Sequence, residues 1–411
     1  MPLTTALRHP KNEETGYVQP GFAPDALTFS ASSDIDALKT AWRSFEVDAV
    51  GHVFQSWAWV SNWHNTVGIA RGIVPFIVTG TSRDGVLRLL LPFGIRTWMG
   101  ARWLVWLGGE HADYKGPLID RAWLAMAGPG EVRRVFELAL ALAPGVDAAA
   151  LEDMPGEVEG HAHPLRAFVH QPSPVAAHSV KLGQDFDTFY REKRGAASRK
   201  KLRQKQRRLE AEAGGSVAMK IAVSPPARAR AITALVAQKR SRLKERGVGD
   251  MFAEPAVRAF YRQLAERHPE LCQISTLEAG GEPVAANWGL LWRGRYYYVL
   301  STMTDGPHRV HSPGLMHLNK LMAWSIGKGY ETFDFTAGDE AYKDDWCDAS
   351  LALFDVYRAF TLKGHVLAWL RAIARSLKRE VKANPLALDV AQSVRKTVRD
   401  LGRRVAATTP W

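Results

Sequence analysis

The chain has 411 residues, enough for about two domains at ~100–200 residues each, and 46% of them are hydrophobic, as in an ordinary globular protein. Lys and Arg number 54 against 42 Asp and Glu, and the formal charge of +12 favours an anionic partner such as a CoA pyrophosphate, a nucleic acid or a lipid head-group surface. The two cysteines, Cys272 and Cys347, form no CxxC pair, which argues against a disulfide framework and a zinc knuckle; the start lacks an apolar core, which argues against a signal peptide; and no run approaches the ~18 apolar residues of a membrane span. A cytoplasmic protein is the expectation.

Residues 1–25 are polar with scattered Pro and Gly and read as a flexible N-terminus. LTFSAS then alternates like a strand, Asp34 is placed to cap a helix through Phe45, and FQSWAWVSNWHNTV reads as a second helix. Two strands, GIVPFIVTG and VLRLLLPFGIRTW, are split by the turn residues SRDG. The strand RWLVWLGG, a helix at about 129–143 and the strand DAAALEDM follow. A stretch rich in Pro and His ends this half near residue 175.

The second half opens with SVKL and a basic helix over about 186–213. From Lys193 to Arg208 that helix carries nine Lys or Arg and no acid, above a thin stripe of Leu202 and Leu209. It reads either as a clamp for an anionic acceptor or RNA, or as a solvated face. The strand VAMKIAVS precedes helices at about 225–246 and 255–267, and CQISTLEA, VAANWGLLW and RYYYVLST read as an antiparallel meander. A helix from Ser312 and the strands YETFDF and LALFDVYRAF complete the half. The order of elements recurs between halves, which points to two copies of one α/β unit, residues 26–175 and 176–365. Beyond lies a basic tail, 366–411, with Val366, Leu370, Ile373, Leu377 and Val381 at helical spacing. Such a tail can lie on an anionic membrane or pack on the body or on a second chain.

The loop TAGDEAYKDDW sits at the carboxyl end of YETFDF, where α/β sheets place ligands. Lys343 is a cation for a developing oxyanion or a phosphate, Glu340, Asp339 or Asp334 can take a proton from an attacking amine, and Tyr342 can protonate a leaving group. The alternative is that Glu340 or Asp339 merely pairs with Lys343 to hold the loop. In HRVHSPG, Ser312 is a good N-cap, Pro313 fits the first helical position, Gly314 allows close approach to the backbone, and Arg309 adds a charge-assisted bond to a phosphate at the helix start. The histidines lack a ligand spacing, so no metal is expected.

The runs GEPVAANWGLLWRGRYYYVLSTMTDGPHRVHSPG and GYETFDFTAGDEAYKDDW resemble the C-terminal half of bacterial proteins of the GNAT superfamily. More narrowly they are similar to its acetyltransferase-like branch associated with cellulose biosynthesis, which is similar in turn to Fem-type peptidyltransferases. FQSWAWVSNWHNTVG, WLGGEHADYKGPLID and the basic helix agree, and the resemblance covers about 27–360. It implies tandem GNAT-like domains with mixed, mostly antiparallel sheets. It also implies transfer of an acyl group, simplest as acetyl, from acyl-CoA as cosubstrate to an amine of an envelope or exopolysaccharide pathway, the donor held by the second domain. GNAT enzymes usually carry Q/R-x-x-G-x-G/A for the CoA pyrophosphate; RVHSPG offers Arg309 and Gly314 without that spacing, and Fem-type relatives use aminoacyl-tRNA. Both donors stay open, as does a non-catalytic accessory protein docked on a polysaccharide-synthesis complex at the inner face of a membrane.

Overall fold

The computed structural model describes residues 27–384; the N-terminal segment 1–25 and the part of the tail after Asn384 lie outside the described residues. In chain order the first elements are β1 (Thr28–Ser32), α1 (Lys39–Phe45), α2 (Trp57–Trp63), β2 (Val74–Thr81), β3 (Leu87–Trp98) and β4 (Ala101–Trp106). Next come β5 (Leu118–Ile119), α3 (Arg121–Met126), α4 (Pro129–Ala141), β6 (Ala148–Pro155), the short pair β7 (Glu157–Val158) and β8 (His161–Ala162), and β9 (Gln171–Lys181). Then follow α5 (Phe186–Lys193), α6 (Ala196–Glu212), β10 (Val217–Ile221), α7 (Pro225–Arg246) and α8 (Pro255–Arg267). The remainder is β11 (Cys272–Ala279), β12 (Glu282–Trp292), β13 (Arg295–Met303), α9 (Pro313–Gly327), β14 (Thr332–Ala337), β15 (Ala349–Ala359) and α10 (Leu362–Ala383).

Among the described residues two compact units emerge, one from 27–173 together with 351–373, the other from 174–350 together with 374–384. Where the sequence places 176–365 in one domain, the structure groups 351–373 with the first unit. The physical reason is pairing: β15 runs antiparallel to β6, with Leu353 opposite Pro155 and Ala359 opposite Ala148.

In the first unit the strands run β1-β2-β3-β4-β6-β15, with β5 against β3. All pairs are antiparallel except β4 with β6, which a helical crossover joins in parallel. The long apolar strand β3 buries Leu89, Leu91 and Phe93 in one core with Phe136 and Leu140 of α4. Trp57, Trp59, Trp63, Trp103 and Trp106 of this half are buried, while Trp98 is 37% exposed. Asp34 does not cap α1; its carboxylate accepts the N–H groups of Asp36 and Ala37 in the turn before the helix.

The second unit repeats the plan. Its strands run β9-β14-β13-β12-β11-β10, again with a single parallel pair, β13 with β14, joined through α9. Every residue of β11, which lies between β10 and β12, is buried, the polar Gln273, Ser275, Thr276 and Glu278 included. Tight two-residue turns at Gly280–Gly281 and Arg293–Gly294, all at positive φ, join β11, β12 and β13. The core gathers Tyr296, Tyr298, Phe333, Phe335 and Trp346 against Leu318, Leu321 and Met322 of α9. Tyr190 of α5 stacks on Trp346 at 6.0 Å. The expected single basic helix is two, α5 and α6, because Arg194 is extended and Gly195 starts a new helix.

One histidine in each unit makes folding sensitive to acid. His163 and His317 are fully enclosed, and burial pushes each imidazole down to about 3. An unfolded histidine takes up a proton below about pH 6.5, whereas these folded ones stay neutral until about 3, so the unfolded state binds more protons throughout that window. Stability is therefore full above pH 6.5 and falls as pH falls, by at most about 1.4 kcal/mol per pH unit for each histidine. Urea midpoints measured between about pH 6.5 and 4.5, above most carboxylate titrations, should drop steadily, and less steeply in His317→Gln; a flat profile would contradict the argument.

Candidate active site in the second unit

The loop between β14 and β15 does not present all its polar groups to one side. Lys343 is 2% exposed. Its ammonium donates to the Gly338 carbonyl at 2.9 Å and more weakly to that of Thr336 at 3.4 Å, and meets Glu340 Oε2 at 2.9 Å. Asp334, buried in the sheet, accepts from Arg295 and from the Thr336 N–H, both at 2.8 Å. Asp339 accepts the Ala176 N–H at 3.2 Å and lies 3.6 Å from Lys382. These three expected catalytic groups brace backbone. Glu340 and Tyr342 instead line a cavity of about 310 Å³ together with Asp345.

The remaining walls come from three elements. α7 contributes Lys239, Arg242 and Arg246, which share a face at i, i+3 and i+7; β13 contributes Tyr298, Ser301, Thr302 and Met303; the start of α9 contributes Ser312, Gly314 and Leu315. Ser312 and Gly314 are thus where the sequence places them. The N-cap role of Ser312 is not fulfilled: the residue is left-handed (φ 60°) at the end of a short 3₁₀ turn, and its hydroxyl accepts from Lys205 Nζ at 2.7 Å rather than from the helix. Arg309 is absent from the cavity lining. The same 3₁₀ turn, Pro307–His311, brings its guanidinium to both carboxylate oxygens of Glu245, at 2.7 and 2.8 Å.

The electrostatics of the cavity sort its groups by role. Burial, aided by Arg242, lowers the Lys239 ammonium, which lies 3.4 Å from the Ser301 carbonyl oxygen. Burial pushes the Tyr298 phenol up to about 12 and raises that of Tyr342 as well, so both remain hydrogen-bond donors at neutral pH. Burial also raises the Glu340 carboxyl, but the charge and hydrogen bond of Lys343 outweigh it, and the group stays below its usual range and ionised. One wall is cationic and suited to phosphate; the facing loop holds carboxylates suited to an ammonium, with phenols beside them.

The sequence reading missed the α7 wall and β13. The only signal available was the same-face spacing of Lys239, Arg242 and Arg246 within QKRSRLKERG, which also describes a solvated helix. Among the described residues no group of three or more His, Cys, Asp or Glu is placed to hold a metal.

Residues 196–344 match the family model described as "Acetyltransferase (GNAT) domain", and every cavity-lining residue except Asp345 falls in the matched segment. No curated protein matches the chain. Among solved structures, FemX superposes with a TM-score of 0.55 at 10% identity, over 77% of this chain and 95% of its own. A conserved protein of unknown function from Bacteroides thetaiotaomicron VPI-5482 gives 0.51 at 10% identity, over 79% and 98%. A tandem GNAT protein from the clavulanic acid biosynthesis pathway gives 0.44 at 11% identity, over 81% and 98%. The fold is therefore mixed α/β and GNAT-like.

Proposed function

We propose that the chain is an N-acyltransferase that moves an acyl group, acetyl in the simplest case, from acyl-CoA to an amine acceptor of an envelope or exopolysaccharide pathway. The observation that carries this reading is the cavity lined, Asp345 apart, by the matched segment, with three cations of α7 on one wall and Glu340 and Tyr342 on another. Its volume of about 310 Å³ is at the lower end of the ~300–1,000 Å³ typical of small-molecule sites. In this reaction the amine nitrogen forms a bond to the thioester carbonyl carbon and the carbon–sulfur bond breaks. Glu340 accepts the proton lost by the amine directly or through water, Tyr342 gives its proton to the departing thiolate, and transfer from Glu340 back to the Tyr342 phenolate through water restores both groups, so that the net result moves one proton from the amine to the thiol. Arg242 and Arg246 hold donor phosphates.

Calorimetric titration with acetyl-CoA tests the donor. Arg242→Ala should weaken binding about tenfold or more, as expected for loss of a charged hydrogen bond, while Arg309→Ala, engaged with Glu245, should change it little. Failure of the wild type to bind any of a panel of acyl-CoAs would overturn the donor. Binding without turnover on any amine would leave a non-catalytic accessory protein. One observation favours a second reading, transfer from aminoacyl-tRNA as in Fem-type enzymes. Lys200, Lys201, Arg203, Arg207 and Arg208 stand exposed on α6 and make no ion pair among the described residues. Competition between aminoacyl-tRNA and acyl-CoA for the protein separates the two.

A further inference from the structure

The cavity of the second unit carries positive charge that its own acids do not neutralise. Asp345 is engaged by Arg194, and Glu340 by Lys343. Lys239, Arg242 and Arg246 line the cavity and make no ion pair among the described residues. They do not stand at one spot. On a helix that rises ~1.5 Å per residue, Arg246 lies about 10 Å beyond Lys239. Lys239 is at the reacting end: its ammonium lies 3.4 Å from the carbonyl oxygen of Ser301, whose hydroxyl lies beside the phenols of Tyr298 and Tyr342, and its charge acts on Glu340. The next residue of β13, Thr302, is 4% exposed and lines the same cavity, and its hydroxyl oxygen is buried with no hydrogen-bond partner among the described residues. Nearly all buried polar groups in proteins are hydrogen-bonded, so such an orphan beside a cation marks a place for a polar ligand atom.

We propose that the acceptor is an α-amino acid, its amine facing Glu340 and its carboxylate held by Lys239 and the Thr302 hydroxyl. This rests on the acyl-transfer reading above and narrows its acceptor. The two charges of an α-amino acid are one carbon apart, which suits a cation and a carboxylate that sense each other within a cavity of about 310 Å³. A simple amine offers Lys239 only a second positive charge. A neutral amino sugar leaves the ammonium without an anion beside it. The donor's phosphates do not fill that place, because the pantetheine arm keeps them far from the thioester. The products are an N-acyl amino acid and the free thiol, with the carboxylate unchanged.

Calorimetric titration of the full chain, with and without saturating acetyl-CoA, against a panel of L- and D-amino acids and the matching decarboxylated amines tests this. At least one amino acid should bind about tenfold or more tighter than its own amine, and should be acetylated with the larger kcat/KM. Lys239→Met should erase that preference while changing acetyl-CoA affinity much less than Arg242→Ala does. Thr302→Val, which keeps the shape of the side chain, should reduce the preference and serves as the second variant should the first misfold. Amines that bind as well as their amino acids, or no binding of any amino acid, would overturn the proposal. So would a Lys239→Met variant that loses acetyl-CoA and keeps the preference, which would make Lys239 a third phosphate ligand. A wild type that prefers amino acids but binds no acyl-CoA would instead overturn the donor and leave the amino-acid site standing.

Discussion

Lys343→Met should lower the stability of the second unit by about 2–4 kcal/mol, because it removes the only cation from a buried knot of acceptors. The lysine ammonium is enclosed beneath the loop and joins two backbone carbonyls to the Glu340 carboxylate. Methionine fills similar volume but donates nothing, leaving the Gly338 carbonyl without its donor and the carboxylate without its counter-charge. Glu340 is itself about half exposed, so water compensates part of the loss and the effect stays below that of a fully buried broken pair. Denaturant unfolding should show a lower midpoint with an unchanged slope. A variant that melts like the wild type yet has lost turnover would return Lys343 to the catalytic role that its position in the sequence suggests.

Glu340→Gln should have the opposite signature: turnover of the proposed transfer reduced about 10²-fold or more, with stability changed only slightly. Glutamine still offers Lys343 an acceptor oxygen, so the loop keeps its brace, but it cannot take a proton from the attacking amine. Lys343 holds the Glu340 carboxyl below its ordinary range, so in the wild type the acid limb of kcat/KM should fall below the usual pH for a glutamate. That limb should vanish in the variant. Unchanged kcat, or a loss matched by early unfolding, would remove Glu340 from the chemistry.

Much of the fold is visible in the chain because its signals are local. The alternation of YETFDF, the double glycine between β11 and β12, and Pro313 at the first turn of α9 each act within a few residues. The site is visible only in part, because its construction is not local. Glu340, Tyr342, Ser312 and Gly314 reach the cavity, but whether Arg309 does depends on Glu245, 64 residues away, and whether Lys343 does depends on how the loop folds over its own carbonyls. The three cations of α7 acquire meaning only when β13 and the 340s loop close around them. A charged residue's type was readable from sequence; its partner was not.

The pairing of β15 with β6 bears on how the chain is made. Asp355 accepts the backbone N–H of Asp153, a bond between residues 202 positions apart, and β6 has β4 on one side and waits for β15 on the other. During synthesis the N-terminal half therefore leaves the ribosome with an apolar strand edge uncovered until residues 349–359 have been translated. Loop closure over that distance makes the step slow relative to the hairpins, which form as soon as they emerge. The two units are consequently not separable gene fragments: cutting the coding sequence near residue 175 yields a piece prone to edge-to-edge aggregation, and exchange of modules with other two-unit proteins would have to carry β15 along with the first half.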